Sequence, residues 1–280
     1  MNERNIAILL ATYNGDEYLK EQINSIISQT YKDWTLYIQD DGSTDNTLAI
    51  IDGYTQQHSN IQFLGQTKGL GAKGNFFSML QQVNSKYYMF CDQDDVWVED
   101  KILVEMERME VEEHRHPNKP VLVFTDLLVV DANLQTIAES FFTYAGIYPQ
   151  FLTTFGELGA SNLVTGCTML INHVVKDVAS RHSASTATMH DAWLALCTAK
   201  AHGILSCITT PLVLYRQHSS NALGASDIGR LTLRYRLGNI KKNYLLNKQH
   251  HDMLQSLCYG SWLRLIYHRL RYKLRVALSK

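Results

Sequence analysis

Tyr87-Tyr88-Met89-Phe90-Cys91-Asp92-Gln93-Asp94-Asp95-Val96-Trp97-Val98-Glu99-Asp100-Lys101 is the stretch whose reading decides the fold. Tyr87 to Cys91 is apolar and aromatic, which predicts a short buried strand. Three carboxylates follow at once: Asp92, Asp94 and Asp95. Carboxylates crowded at a strand end repel one another unless a cation or hydrogen-bond donors compensate them. Hard oxygen ligands of this kind suit Mg²⁺ or Mn²⁺, and Mg²⁺ commonly pairs one or two carboxylates with substrate phosphates. Two readings are open: a metal–diphosphate site, or an acidic turn capping a helix that starts near Glu99.

The residues upstream repeat the same pattern. Asn5 to Thr12 is a nearly continuous apolar run, expected of a central parallel strand buried on both faces. Tyr13-Asn14-Gly15 breaks it, and a helix is predicted from about Asp16 to Gln29, with Leu19, Ile23, Ile26 and Ile27 on one face. Trp34 to Gln39 predicts a second strand, ending in Asp40-Asp41-Gly42-Ser43-Thr44-Asp45 and a capped helix running to about Gln57. Ile61 to Leu64 is a third strand. Lys68-Gly69-Leu70-Gly71-Ala72-Lys73-Gly74-Asn75 is a glycine-rich loop ahead of a helix, Phe76 to Val83. Strands and helices alternate at doubly wound spacing, and such sheets bind ligands at the carboxyl ends of their strands. Tyr13-Asn14-Gly15, Asp40-Asp41, the glycine loop and Asp92-Gln93-Asp94 all fall at such ends. The glycine loop itself is neither a Walker A loop nor a dinucleotide fingerprint.

Downstream, Glu99 to His114 predicts a charged amphipathic helix and Val121 to Val130 a strong strand. The aromatics Phe141, Phe142, Tyr144, Tyr148, Phe151 and Phe155 either anchor a loop to the core or line an acceptor groove. Asn162 to Ile171 reads as a strand, then helices near Val174–Arg181 and Asp191–His202, then short strands at Ile204–Ile208 and Leu212–Tyr215.

Composition bounds the class. The 280 residues are 45% hydrophobic, enough for one large α/β domain with an appendage or two small domains. Net charge is −1, but Ala225 to Lys280 carries 12 Lys/Arg against 2 Asp/Glu, out of totals of 26 and 27. The body is therefore acidic and the tail basic, an asymmetry that points to an anionic partner for the tail. The five cysteines are scattered, with no Cys-x-x-Cys pair, as expected of free thiols in a reducing compartment. No apolar leader or spanning run is evident, so a cytoplasmic protein is expected.

Ala11-Thr12-Tyr13-Asn14-Gly15, Ser25-Ile26-Ile27-Ser28-Gln29-Thr30, Asp40-Asp41-Gly42-Ser43-Thr44-Asp45 and Asp92-Gln93-Asp94-Asp95-Val96-Trp97 together resemble a family 2 inverting glycosyltransferase of GT-A fold. Thr165-Gly166-Cys167-Thr168, His190-Asp191-Ala192-Trp193 and Tyr215-Arg216-Gln217-His218-Ser219-Ser220-Asn221 are similar to its bacterial rhamnosyltransferase-like branch. The resemblance runs from about Ile6 to Gly224. It implies a mostly parallel mixed sheet, with a nucleotide-binding half of about residues 1–100, an acceptor half of about 101–224, and a basic helical extension over 225–280.

The resemblance also implies roles. The donor is a nucleotide-diphosphate sugar, dTDP-L-rhamnose at branch level, with UDP-galactose, UDP-glucose or UDP-N-acetylglucosamine as alternatives. The acceptor is a hydroxyl of a polyprenol-diphosphate-linked saccharide in bacterial surface-polysaccharide synthesis. Mn²⁺ or Mg²⁺ sits on Asp94, with Asp92 as helper and His218 as a further candidate. Asp41 holds the N3–H of a pyrimidine, against Tyr13 and the backbone of Ala11 and Thr12; Asn14, Lys73, Asn75 and Gln93 complete the nucleotide site, and Arg216 meets the diphosphate. Asp191 is the general base, although its position equally suits an N-cap. His190 and Trp193 are acceptor-side candidates. Ala192, where many relatives carry a second Trp, implies altered acceptor contacts.

In the tail, Leu231, Leu233, Leu237 and Ile240 interleave with Arg230, Arg234, Arg236, Lys241 and Lys242, and a second helix is predicted over about Tyr259 to Leu278. A helix pair lying on an anionic inner-membrane surface and a pair packed on the acidic body both suit this pattern. Nucleic acid is not expected, because no nucleic-acid-binding module is recognisable. Two other classes stay in view: a nucleotidyltransferase, which needs a basic glycine-rich signature after the first strand, and a sugar-binding protein with a decayed site.

Overall fold

The computed structural model describes residues 6–218 and 240–279. The Ser219-Ser220-Asn221 end of the last motif and the tail positions from Arg230 to Leu237 lie outside the described residues. Four strands build the first half: β1 (Ile6–Thr12), β2 (Trp34–Asp40), β3 (Ile61–Gln66) and β4 (Tyr87–Cys91), in the order β3-β2-β1-β4 and all parallel. Helices α1 (Leu19–Ile27), α2 (Thr47–Gln57) and α3 (Gly71–Gln82) connect them. β1 is central, and Ile6 to Leu10 are at most 1% exposed, which explains its unbroken apolar sequence. Its register pairs Thr12 with Asp40 and Leu10 with Cys91. The polar ends of three strands are thereby brought to one edge of the sheet.

The second half is mixed. β5 (Val96–Trp97) and α4 (Lys101–Arg115) follow the carboxylates; then come β6 (Val121–Val130), β7 (Thr136–Ala138), α5 (Phe141–Ala145) and α6 (Phe155–Leu158). β8 (Met169–Asn172), α7 (His173–Ser180), α8 (His190–Lys200) and β9 (Ile204–Arg216) complete it. The sheet continues β4-β8-β6-β9-β5, with β8 antiparallel to both neighbours and β9 parallel to β6.

Three expectations change here. The strand foreseen over Asn162 to Ile171 is only β8, because Gly166–Thr168 forms a 3-10 turn ahead of it. The two short strands are one, β9: the register shifts opposite Asp126, where Pro211 sits, so the proline is accommodated at an irregularity instead of ending the strand. The glycine loop is short: α3 starts at Gly71, and Lys73 and Asn75 stand on its first turns.

The tail forms α9 (Ile240–Ser256) and α10 (Trp262–Leu278), joined through Gly260 (φ 110°) and the N-cap Ser261. Met253, Leu254, Leu257, Tyr259 and Leu265 are fully buried and pack in the same core as the sheet. Phe141 and Phe142 are buried too, and Tyr148 stacks on Phe151, so this aromatic run anchors loops and does not line the cleft described below. Cys91, Cys167 and Cys197 are buried free thiols, whereas Cys207 is half-buried and Cys258 exposed.

Candidate active site

A cleft of about 290 Å³ opens at the carboxyl edge of β1, β2 and β4. Ala11, Thr12 and Tyr13 line it from β1, Asp41 from β2, and Gly71, Ala72, Asn75 and Phe76 from α3. Asp92, Gln93 and Asp94 come from the loop after β4, Thr165 and Gly166 from the 3-10 turn, Met189, His190 and Asp191 from the start of α8, and Tyr215 from β9.

The β2 corner is fully hydrogen-bonded. Asp40 accepts from Thr12 Oγ1 (2.9 Å), Gly42 N (3.0 Å), Ser43 N (2.8 Å) and Gln66 Nε2 (3.0 Å). Asp40 is thus the residue that holds the turn. Asp41 beside it accepts from Leu70 N at 2.9 Å, Gly71 N at 2.7 Å and Thr67 Oγ1 at 3.1 Å. Burial pushes both carboxyls up, yet the hydrogen bonds outweigh it and leave both below the usual carboxylate range. The glycine segment therefore holds Asp41 ionised at the cleft wall. Asn75, 1% exposed, joins this corner by accepting from Thr67 Oγ1 at 2.9 Å.

The β1 loop is tied to both neighbours. Gln93 brackets Tyr13, accepting from its N–H at 2.8 Å and donating to its carbonyl at 3.0 Å. A Cβ on Gly15 would lie 2.3 Å from Gln93 Oε1, so a side chain there would push Gln93 out of this bracket. Asn14, at φ 45°, donates through its N–H to Ser43 Oγ and accepts from Thr44 N through its side chain. It knits two loops together and stands outside the cleft lining. The Tyr13 ring stands exposed at the lip.

The carboxylate corner is the opposite of the β2 corner. Burial, with Asp94 and Asp191 adding repulsion, pushes Asp92 up to about 7. Burial pushes Asp191 up to about 6, against hydrogen bonds from the Ala192 and Gly166 N–H groups. Burial, then Asp94 and Asp92, raises fully buried Asp95 well above the carboxylate range. β5 explains how this corner is assembled. It pairs with β9 through Val96–Leu214 and Trp97–Val213, which folds the acidic loop back onto the end of β9. There His218 Nε2 lies 2.9 Å from Asp94 Oδ2, and its ring packs on Tyr18 at 4.9 Å.

The carboxylate oxygens of Asp94 and Asp92 are hard donors of the kind that suit Mn²⁺ or Mg²⁺, His218 touches Asp94, and the crowding of carboxylates on this corner is what such an ion would relieve. Asp92, Asp95 and Cys167 also place one ligand atom each within 4.8 Å of one another. Asp95, however, already accepts from Arg216 N at 3.1 Å, and burial raises the Cys167 thiol well above its usual range, so this trio suits a hydrogen-bonded support behind the loop.

Packing places four of the singled-out residues outside the cleft lining. Arg216 is 2% exposed and its guanidinium is engaged with the Asp94 carbonyl (2.8 Å), the Ala132 carbonyl (2.6 Å) and Glu21. It sits over the Tyr18 ring at 4.4 Å and positions the acidic loop; it does not line the cleft. Lys73 donates to the Ala187 carbonyl at 2.9 Å, outside the lining, and so ties α3 to the strap leading into α8. Trp193, 1% exposed, lies in the core and outside the cleft lining. Ala192 turns away from the cleft into a small cavity shared with Asn162 and His250 of α9, so its small size bears on tail packing. His190 does line the cleft, stacked on Phe76 at 4.1 Å and Phe90 at 5.0 Å, and burial lowers it to about 3, keeping it neutral. Phe76, Met189 and Tyr215 line the cleft without having been singled out, since nothing in an apolar or aromatic residue alone separates a wall from a core position.

The family model described as Glycosyl transferase family 2 matches residues 7–117, the segment from β1 through α4. The dTDP-rhamnosyl transferase RfbG of Shigella flexneri is 30% identical over 227 residues, covering 78% of this chain and 74% of that protein. The UDP-Glc:alpha-D-GlcNAc-diphosphoundecaprenol beta-1,3-glucosyltransferase WfgD of Escherichia coli is 28% identical over 109 residues, 39% of this chain and 42% of that one. Among solved structures, the mannosyltransferase PcManGT from Pyrobaculum calidifontis in complex with GDP-Man and Mn²⁺ superposes with a TM-score of 0.60 at 12% identity, covering 98% of this chain and 80% of that chain. That likeness concerns the fold alone. The family match spans the strands whose ends build the cleft, and the similarity to the Shigella relative extends well beyond it, over 78% of the chain: the chain belongs to glycosyl transferase family 2 and is a glycosyltransferase.

Proposed function

We propose that this glycosyltransferase is inverting and metal-dependent, and that it moves a sugar from a nucleotide-diphosphate donor, dTDP-L-rhamnose first, to a hydroxyl of a polyprenol-diphosphate-linked saccharide. The observation that carries the proposal is the pairing, in one cleft, of an ionised, hydrogen-bonded Asp41 with a crowded carboxylate corner built from Asp92, Asp94 and Asp191, in which Asp92 and Asp191 are pushed up. Asp41 accepts the N3–H of thymine or uracil with charge assistance, and Tyr13 offers a ring face at the lip. Asp94, Asp92 and His218 are the residues that would hold Mn²⁺ or Mg²⁺. When bound, the ion supplies Lewis-acid stabilisation of the departing diphosphate.

Asp191 takes the proton from the acceptor hydroxyl as the oxygen bonds to the anomeric carbon and the carbon–oxygen bond to the diphosphate breaks. A carboxyl titrating near 6 is ionised at neutral pH and is a stronger base than an ordinary one. Buried, neutral His190 and Phe76 give that part of the cleft a low-polarity wall, which strengthens the charges acting within it. A lipid-linked acceptor is supported by the name of the Escherichia coli relative and by the basic tail, and it assigns the protein to the cytoplasmic face of the inner membrane. The same relative favours UDP-glucose as the second donor candidate.

The test is a panel of dTDP- and UDP-sugars with Mn²⁺, Mg²⁺ or EDTA, read by thermal stabilisation and by nucleoside-diphosphate release. Divalent-dependent stabilisation by a dTDP-sugar is expected. Failure of every donor to bind in a metal-dependent way overturns the proposal.

A further inference from the structure

α10 has two apolar faces, and among the described residues only one is covered. Leu265, His268, Tyr272 and Val276 form an inward stripe. Leu265 is fully buried, Tyr272 Oη accepts from Tyr148 N at 3.1 Å, and Arg275 beside this stripe pairs with Glu157 at 2.8 Å. Leu263, Ile266, Tyr267, Leu270, Leu274 and Leu278 recur at spacings of three and four and form a second stripe on the opposite side. This stripe is bare: Leu263 is 75% exposed, Leu270 63% and Leu278 79%. A surface helix that only packs on its own domain needs one apolar stripe, so the second calls for a partner.

Charge selects the partner. Lys273 borders the bare stripe on one side, and Arg264 and Arg271 border it on the other, all exposed. No Asp or Glu occurs anywhere in Trp262–Leu278. A second copy seated on this stripe would bring cationic rims against cationic rims, which is unfavourable. A lipid surface with anionic headgroups meets both requirements: acyl chains for the leucines, and phosphates for Lys and Arg reaching up from the edges. At about 25 Å long, the helix lies in the interface and does not cross it, in keeping with the absence, among the described residues, of any helix long and apolar enough to span a membrane.

We infer that the outward stripe of α10, Leu263 to Leu278, is an in-plane docking face for an anionic lipid surface. This deepens the lipid-linked-acceptor reading and rests on it for its biological sense, though not for its physics. The tail also reaches the cleft. Thr186 Oγ1 donates to Ser256 Oγ at 2.8 Å, and Met253 of α9 packs on Thr188, in the strap that leads to Met189, His190 and Asp191. Docking of α10 would therefore hold the base-bearing side of the cleft at the membrane.

The test is co-flotation of the full chain with vesicles of phosphatidylcholine alone or with 30% phosphatidylglycerol, an amount of about a third chosen to give a clearly anionic surface. The wild type is expected to float with the anionic vesicles at least tenfold better than with neutral ones. L270E/L274E is expected to lose that binding while melting as the wild type does, because both side chains point into solvent. Wild type that stays unbound, or L270E/L274E that floats equally well, overturns the inference. So does a wild-type dimer that L270E/L274E turns into a monomer without any lipid effect. Donor-induced thermal stabilisation of L270E/L274E reports the cleft separately, so failure of the docking face and failure of the proposed activity remain distinguishable.

Discussion

The cleft holds two carboxylate corners that differ in almost every physical respect. At the β2 corner, Asp40 and Asp41 are buried and surrounded by hydrogen-bond donors, and both are held below the ordinary carboxylate range. At the β4 corner, Asp95 and Asp191 are buried and Asp92 half-buried, and all three are pushed up. Burial pushes every one of these carboxyls up; at the β2 corner hydrogen-bond donors outweigh it, whereas at the β4 corner it wins, with neighbouring carboxylates adding to it at Asp92 and Asp95 and in spite of the N–H groups that reach Asp191. The β2 corner is satisfied as folded. Under the proposed function, the β4 corner is the one that a bound ion would complete. The two corners should respond to substitution, pH and divalent ions in opposite ways.

The largest effect is expected on chemistry. Asp191→Asn keeps the shape and removes the base, so kcat should fall by about 10²- to 10⁴-fold while donor-induced thermal stabilisation survives. Retained turnover would remove Asp191 from that role. The wild type should also show an acid limb near pH 6 in initial rates, because a base with its pKa raised to about 6 is protonated, and idle, below that value. Activity unchanged down to pH 4.5 would contradict the raised pKa.

A smaller effect is expected on stability, with opposite signs at the two corners. Asp41→Asn removes the charge that the Leu70 and Gly71 N–H groups point at, and should cost about 1–3 kcal/mol in denaturant unfolding. Asp92→Asn should instead stabilise the protein by about 1–2 kcal/mol at pH 8 in EDTA. The sign follows from linkage: Asp92 binds its proton more tightly folded (about 7) than at its ordinary value of 3.8, so wild-type stability falls as pH rises between those values. The asparagine does not titrate and escapes that loss. Saturating Mn²⁺ should narrow the difference by stabilising the wild type. Destabilisation by Asp92→Asn at pH 8 would mean that the corner is not frustrated. The smallest effect on activity is expected for Trp193→Phe: a loss of roughly 1–2 kcal/mol in stability from core repacking, with the acceptor KM unchanged.

Much of this was legible along the chain because it depends on local pattern. The apolar runs of β1, β2 and β4, the polar residues at their ends and the order of the motifs led to the sheet edge where the cleft opens, and Asp41, Asp92, Asp94 and Asp191 do line it. The departures share a cause. Arg216, Lys73 and Trp193 have the residue types expected at a substrate site, but each side chain is turned by a neighbour distant in sequence: Glu21 and Ala132 for Arg216, Ala187 for Lys73, the core for Trp193. The tail held two readings, packed helix pair or membrane helix: the inward stripe of α10 is packed on the core, and the bare stripe is what the proposed lipid docking rests on.

The sequence by itself determined the alternation of strand and helix, the family resemblance and the carboxylates at the strand ends, because backbone periodicity and side-chain chemistry are written residue by residue. Only the tertiary structure decided which carboxylates are satisfied. That depends on donors brought from elsewhere in the chain: the glycine segment to Asp41, β9 to Asp95, and no comparable set to Asp92. Hydrogen bonding and charge act over a few ångströms in space, whatever the separation along the chain.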